Sequence, residues 1–351
     1  MLSQLEVIIS LQPPRRVSQV IVRAAPNFLY DACVTRFEFM QTVTAGALSI
    51  ASPRQMSSQT PGSTTVTYKS VGQCEIQADV FGASEGAAKP ALMWIHGGAL
   101  IFGNRKGVAH PFHARLLQTG YVVVSIDYRL APETKLPGII DDLQDAYRWV
   151  GSNAKRFGLD RNRIAVAGAS AGGYLTEMAG FWLKPRPRAL VSYYGYGDIV
   201  GSWYSEPDEF YRRQPLVSKE DAYASIGKTP LSDPPTGNQR EKFYLYCRQN
   251  GLWPREVSGH DPHIEPQWFD RYCPIRNVTS QYPPILLIHG TADTDVPYSL
   301  SKDMAAKLTA QGVEHELITV ADAGHGLYGA KQEEIDRISD RAVNFVKVHT
   351  T

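Results

Sequence analysis

One stretch constrains this chain more than any other: Arg163-Ile-Ala-Val-Ala-Gly-Ala-Ser-Ala-Gly-Gly-Tyr174. Ile164 to Ala167 is a short apolar run with β-branched members, the pattern of a buried strand, and it breaks at Gly168. Ala171 to Trp182 contains no proline and is rich in helix formers, so it reads as a helix. Between the two stands Gly168-Ala-Ser-Ala-Gly172. Alone, that pattern is common in glycine-rich chains. Flanked by a strand and a helix, it is the sharp turn that exposes a serine at a helix N-terminus. There, backbone N–H groups face any negative charge that develops on a reacting carbonyl. The glycines beside Ser170 are required because the turn leaves no room for Cβ atoms against the neighbouring strand and helix.

The rest of the chain is compatible with such a turn. A length of 351 residues and a hydrophobic content of 43% allow a large core. The formal net charge is +1 with both signs interspersed, which points away from nucleic acid or an anionic membrane as partner. No apolar run approaches the roughly 18 residues of a membrane span. Cys33, Cys74, Cys247 and Cys273 are scattered without a C-x-x-C pair. They read as buried free thiols, or as a Cys247–Cys273 bridge with the others free. The N-terminal residues lack the basic start, apolar stretch and cleavage site of a signal peptide, so a cytoplasmic location is the expectation.

Taken in order, residues 1–60 form an N-terminal extension, with an amphipathic helix expected after Pro26 and a Ser/Pro/Gln/Thr-rich linker at 52–64. This segment is either part of a lid over the site or a poorly ordered extension. Thr65–Val71 and Glu75–Phe81 read as paired antiparallel strands. Further strands are expected at 91–95, 121–126, 164–167, 190–194, 285–288 and 316–320, most of them joined by helices. Eight strands in this rhythm predict an α/β fold with a mostly parallel sheet and helices on both faces. Residues 61–195 and 283–351 would make the catalytic domain. The stretch 196–282 breaks the alternation and is rich in aromatic and charged residues. A structureless loop of that length is improbable, so it reads as a helical cap insertion.

An exposed serine needs a base, an acid and oxyanion donors to act as a nucleophile. His325 lies in Asp322-Ala-Gly-His-Gly326, a small-residue loop directly after the last strand. Asp293 lies in Ile288-His-Gly-Thr-Ala-Asp-Thr-Asp-Val-Pro297, also at a strand end, and is the expected acid. Asp295 in the same loop is expected to cap the helix beginning near Tyr298. His289 reads as structural. The order Ser170, Asp293, His325 is that of α/β hydrolases. Gly97, Gly98 and Ala99, in the glycine loop after another strand, together with Ala171, would form the oxyanion hole. Tyr196, Trp203 and Trp253 are expected to contact substrate. No metal or cofactor is implied: His110-x-x-His113 lacks a Glu and a third ligand, and there is no phosphate-binding glycine loop.

Together these residues resemble the hormone-sensitive-lipase-like branch of α/β-hydrolase carboxylesterases. The resemblance rests on His96-Gly97-Gly98, on Asp127-Tyr-Arg-Leu-Ala-Pro-Glu133 with Asp141-Asp142, and on Gly168-Ala-Ser-Ala-Gly-Gly173. It covers roughly 64–195 and 284–348. It implies an α/β-hydrolase fold, an esterase acting on a small-molecule ester, and a supporting role for Arg129 and Glu133 behind the oxyanion loop. Two departures stand out. Ala99 replaces the family's usual third glycine, and the acid loop looks more like that of prolyl-oligopeptidase-type peptidases and feruloyl-esterase-like hydrolases. Carboxylesterase, peptidase or amidase, and non-catalytic ligand-binding protein are therefore the three readings weighed, with esterase first. The oligomeric expectation is monomer or homodimer.

Overall fold

The structure, a computed structural model, describes residues 18–22, 62–86, 88–107, 111–235 and 239–351. Strands β1 (Ser18–Val22), β2 (Thr64–Val71), β3 (Cys74–Phe81) and β4 (Lys89–Ile95) are followed by α1 (Pro111–Gln118) and β5 (Val122–Ile126). Then come α2 (Leu136–Ser152), α3 (Ala154–Phe157), β6 (Leu159–Ala169), α4 (Ala171–Trp182) and β7 (Leu190–Tyr193). Short helices α5 (Ser202–Ser205), α6 (Glu209–Arg212) and α7 (Lys219–Tyr223) lead into α8 (Arg240–Asn250), α9 (Trp253–Ser258) and α10 (Pro274–Asn277). The chain returns through β8 (Ile285–Gly290), α11 (Tyr298–Ala310), β9 (His315–Val320) and α12 (Gln332–Thr350).

The eight expected strands are all present, and a ninth is added by the N-terminal segment. The sheet order is β1-β9-β8-β7-β6-β4-β5-β3-β2. β1 pairs in parallel with β9, Ser18 opposite Glu316 through Val22 opposite Val320. The expected helix after Pro26 and the remainder of the 1–60 extension lie outside the described residues, as does His110. Only β3 runs against the other strands, pairing antiparallel with both β2 and β5.

The central strands are buried on both faces, and their side chains divide with period two. Along β4, Ala91, Met93 and Ile95 join a core that includes α2 and α4, with Leu143 and Leu175 among its members. Leu92 and Trp94 face the other way, into a core with Phe112 of α1 and Ile338, Ala342 and Val346 of α12. Each large aliphatic side chain so buried contributes about 1.5–3 kcal/mol relative to exposure. A sheet covered in this way leaves its carboxyl edge as the place for a site.

The insertion between β7 and β8 contains the short helices α5 to α10 rather than strands. Cys247 and Cys273, which lie within it, are both buried and unbonded, so the free-thiol reading holds and the bridge does not. No helix among the described residues is long and apolar enough to cross a membrane.

Candidate active site

β4 and β6 are neighbours in the sheet, although β5 lies between them in sequence and on β4's other side. The chain thus changes direction of travel across the sheet here, and the loops leaving the two strands open a crevice at their carboxyl ends. Ser170 stands at this point, between β6 and α4, with φ +57° and ψ −119°. Such a conformation stores on the order of 1–3 kcal/mol in a residue with a Cβ. It is held by Ser170 N–H donating to Tyr193 O at 2.9 Å and by Tyr174 N–H donating to Ser170 O at 2.9 Å. Gly172 shows why the pattern needs its glycines: a Cβ there would stand 2.1 Å from the Ile95 carbonyl oxygen.

His325, after β9, presents Nε2 at 3.0 Å from Ser170 Oγ. Its Nδ1 is 2.7 Å from Asp293 Oδ2. The two loops that carry acid and histidine are joined to each other. Thr291 N–H donates to Val320 O at 2.9 Å and Ala292 N–H to Ala323 O at 3.0 Å. Gly290 permits the approach, since a Cβ would fall 2.2 Å from Ala323 O. Asp293 Oδ1 accepts from the N–H groups of Asp295 (2.8 Å) and Val296 (2.9 Å).

His289 is the unexpected partner of this acid. Its Nε2 lies 3.3 Å from Asp293 Oδ2 and 3.0 Å from Val296 O, so it faces two acceptors and must carry the proton. Its Nδ1, 2.7 Å from Ser301 Oγ, then accepts from that hydroxyl. Burial alone would raise the Asp293 carboxyl, but the hydrogen bonds it accepts from His289 and His325 lead the effects that outweigh it and hold the group at about 2.

The loop after β4 lies directly against the serine. A Cβ on Gly97 would be 3.3 Å from Ser170 Cβ. Beyond it the chain turns tightly, with positive φ at Gly98 (+106°), Ala99 (+54°) and Leu100 (+62°), and Gly98 O accepts from Ile101 and Phe102 N–H. Ala99 thus takes a left-handed conformation despite its methyl group. Ala171 opens α4, so its N–H belongs to the first turn and has no partner within the helix.

Much of what holds this loop comes from the insertion. Trp253 Nε1–H donates to Ala99 O at 2.9 Å. Arg240 donates to Ile101 O (2.6 Å), to Ala131 O (2.5 Å) and to both oxygens of Glu133 (2.8 and 2.7 Å). Arg129 makes the other pair, binding Asp142 through Nε and Nη2 at 2.7 Å each. Glu133 is thus tied to this loop through Arg240, whereas Arg129 is anchored to Asp142 and to Gly138 O of α2. Arg240 itself had no signal in the sequence, because its partners lie more than a hundred residues away.

The three aromatic residues expected to contact substrate separate here. Trp253 is fully buried and committed to Ala99 O, and Tyr196 is buried and stacked on Tyr174 at 5.1 Å. Both belong to the buried aromatic packing around Tyr204. Trp203 keeps partial exposure while stacking on Tyr204 at 3.7 Å. Asp295 also departs from expectation. Pro297, not Asp295, occupies the N-cap of α11, and no side chain caps that helix. The Asp295 carboxylate instead accepts from Tyr211 Oη (2.5 Å), Tyr244 Oη (2.6 Å) and Arg248 Nη1 (2.9 Å). A separate groove, lined by Glu316, Arg341 and His349 among others, sits near the start of β9, at the opposite edge of the sheet from Ser170.

A strained serine after β6, a histidine after β9 and a buried acid after β8 define a class, and the comparisons agree with it. The chain belongs to the α/β hydrolase fold family, which matches residues 92–329. Among its relatives is Esterase LipC of Mycobacterium tuberculosis, 31% identical over 253 residues, covering 71% of this chain and 56% of that protein. Another is the non-reducing polyketide synthase ausA of Emericella nidulans, 29% identical over 313 residues, covering 74% of this chain and 13% of the synthase. The chain thus spans little more than half of the first relative and a small part of the second. Among solved structures, a Staphylococcus aureus protein of unknown function superposes with TM-score 0.67 at 22% identity, over 82% of this chain and 99% of that one. A hyperthermophilic esterase from Pyrobaculum calidifontis gives TM-score 0.57 at 24% identity, over 82% and 85%.

Proposed function

We propose that the protein is a serine carboxylesterase acting on short- to medium-chain or aromatic carboxylic esters through an acyl-enzyme. The observation that carries this reading is the line of contacts from Ser170 Oγ through His325 to Asp293, at 3.0 and 2.7 Å. Ser170 is the nucleophile and His325 the base that takes its proton. Asp293 fixes the imidazole with Nδ1–H toward itself and balances the charge the ring acquires. The N–H groups of Gly97, Gly98, Ala99 and Ala171 supply the donors from which the tetrahedral oxyanion is stabilised, each typically worth about 3 kcal/mol. His325 then protonates the departing alcohol and activates the water that releases the acid. The segment 196–282 serves as a cap that shapes the acyl or alcohol pocket, with Trp203 as its contact with substrate.

The test is hydrolysis of p-nitrophenyl esters, acetate through dodecanoate, by the wild type and by Ser170→Ala and His325→Ala. Turnover lost by at least about a thousandfold in both folded variants is the expected result. Substantial activity in His325→Ala sinks the base assignment. A folded wild type inactive on every ester would favour an amidase or a binding protein instead. Aromatic acyl esters are the second series to try.

A further inference from the structure

The acid loop brings a second carboxylate to the catalytic imidazole. Asp295 Oδ2 stands 3.4 Å from His325 Nε2, the same nitrogen that faces Ser170 Oγ. Asp293 occupies the other nitrogen, so the ring lies between two carboxylates. One of them suffices to orient a neutral imidazole. With the proton on Nδ1 toward Asp293, Nε2 offers only a lone pair, and a carboxylate oxygen beside it is unfavourable. When Nε2 takes the serine proton, the same oxygen becomes an acceptor and a counter-charge.

Asp295 does not stand there by loop geometry alone. Tyr211 from α6 and Tyr244 and Arg248 from α8 all donate to its Oδ1, which leaves the Oδ2 side turned to the histidine. Arg248 does not cancel the charge, because its Nη2 binds Asp208 at 2.7 Å. Asp208, Arg248 and Asp295 together carry one net negative charge. The groups facing His325 are Asp293 and Asp295 from the loop after β8, Ser170, and the ring of Tyr194 at 4.8 Å in an edge arrangement. Asp322 is exposed on the histidine's own loop, and His289 faces Asp293 from β8. Of these, Asp295 is the charged group on the Nε2 side.

We propose that Asp295 is a positioning residue whose carboxylate stabilises the protonated form of His325 from the Nε2 side. The insertion, through Tyr211, Tyr244 and Arg248, thereby sets the pH range in which the site works. This rests on the reading of His325 as the base. The sign follows directly: a negative charge near Nε2 favours the imidazolium over the neutral ring, and removing that charge disfavours it.

The experiment follows the His325 ring protons by NMR between pH 4 and 9, with the acid limb of kcat/KM for a p-nitrophenyl ester measured in parallel. Asp295→Asn keeps an acceptor for the three donors and removes the charge. The expected result is a His325 midpoint lower by about one pH unit, with the acid limb moving to lower pH alongside it. An unchanged midpoint in the folded variant overturns the proposal. If Asp295→Asn does not fold, Tyr244→Phe decides. Losing one donor concentrates charge on Asp295, so the midpoint should rise, and no change overturns the proposal. The NMR midpoint requires no substrate. A shifted midpoint in a protein that cleaves no ester would sink the esterase reading and leave this inference standing.

Discussion

At the scale of single residues, Ser170, Asp293 and His325 were readable for a shared reason. Each follows an apolar run and sits among small residues, where a strand must end and a side chain reaches the sheet's edge. Asp295 was readable only as one of two acids on a loop, because the residues that define it, Tyr211, Tyr244 and Arg248, lie 84, 51 and 47 positions away. His289 is a similar case: a histidine before a glycine says nothing of the acid it will face. The charge on Asp293 carries a prediction. In Asp293→Asn the side-chain oxygen still accepts from the N–H groups of Asp295 and Val296, which turns its NH₂ toward His325 Nδ1 and selects the wrong tautomer. A fall in kcat of about 10³–10⁴-fold is expected, with the fold intact by circular dichroism. In the wild type, Asp293 remains ionised down to about pH 2, so the acid limb of kcat/KM should have a slope of one, with no second ionisation between pH 3 and 5. A slope of two in that range would mean that the acid titrates with the base.

At the scale of elements, the strands announced themselves by apolar runs closed by turn residues, and their boundaries moved by only a few positions. β1 did not, since its five residues acquire meaning only from β9, nearly three hundred positions downstream. The insertion's helices were expected, but not their grip on the loop after β4. α9 reaches that loop through one bond, from Trp253 Nε1 to Ala99 O. Trp253→Phe keeps most of the buried aromatic surface and leaves the Ala99 carbonyl without that donor. An unsatisfied buried acceptor costs about 1–3 kcal/mol, so urea unfolding should register a loss in that range. The kinetic consequence is more specific. A loop that supplies transition-state donors, as proposed for this one, matters little to ground-state binding, so kcat should fall roughly tenfold with KM nearly unchanged. A rise in KM at constant kcat would instead make Trp253 a substrate contact after all, as the sequence reading held.

At the scale of the whole molecule, the helix that follows Ser170 carries an acid that the proposed chemistry does not use. Glu177, in the middle of α4, is buried, accepts from Ser192 Oγ–H at 2.8 Å through Oε1, and has no hydrogen-bond partner at Oε2. Burial pushes its carboxyl up to about 8, against the pull of the Ser192 hydrogen bond. The unfolded group titrates near its ordinary value of 4.5, so between the two the folded state holds one proton more. Its contribution to stability is therefore full below about 4.5 and is lost as pH rises toward 8, at about 1.4 kcal/mol per pH unit. Asp293 acts in the opposite sense, its contribution full above the ordinary 3.8 and lost as pH falls toward 2. The fold is thus squeezed between a buried acid it must keep protonated and an acid beside His325 that it must keep charged. Asp127, raised to about 6 by burial against the pull of Arg105, bends the curve the same way as Glu177, so the informative comparison is between variants. Glu177→Gln removes the titration and preserves an acceptor for Ser192. Its urea midpoint should match or fall below the wild type's at pH 5 and exceed it at pH 8. Parallel pH dependences would show that Glu177 titrates normally and that its buried setting opens to water.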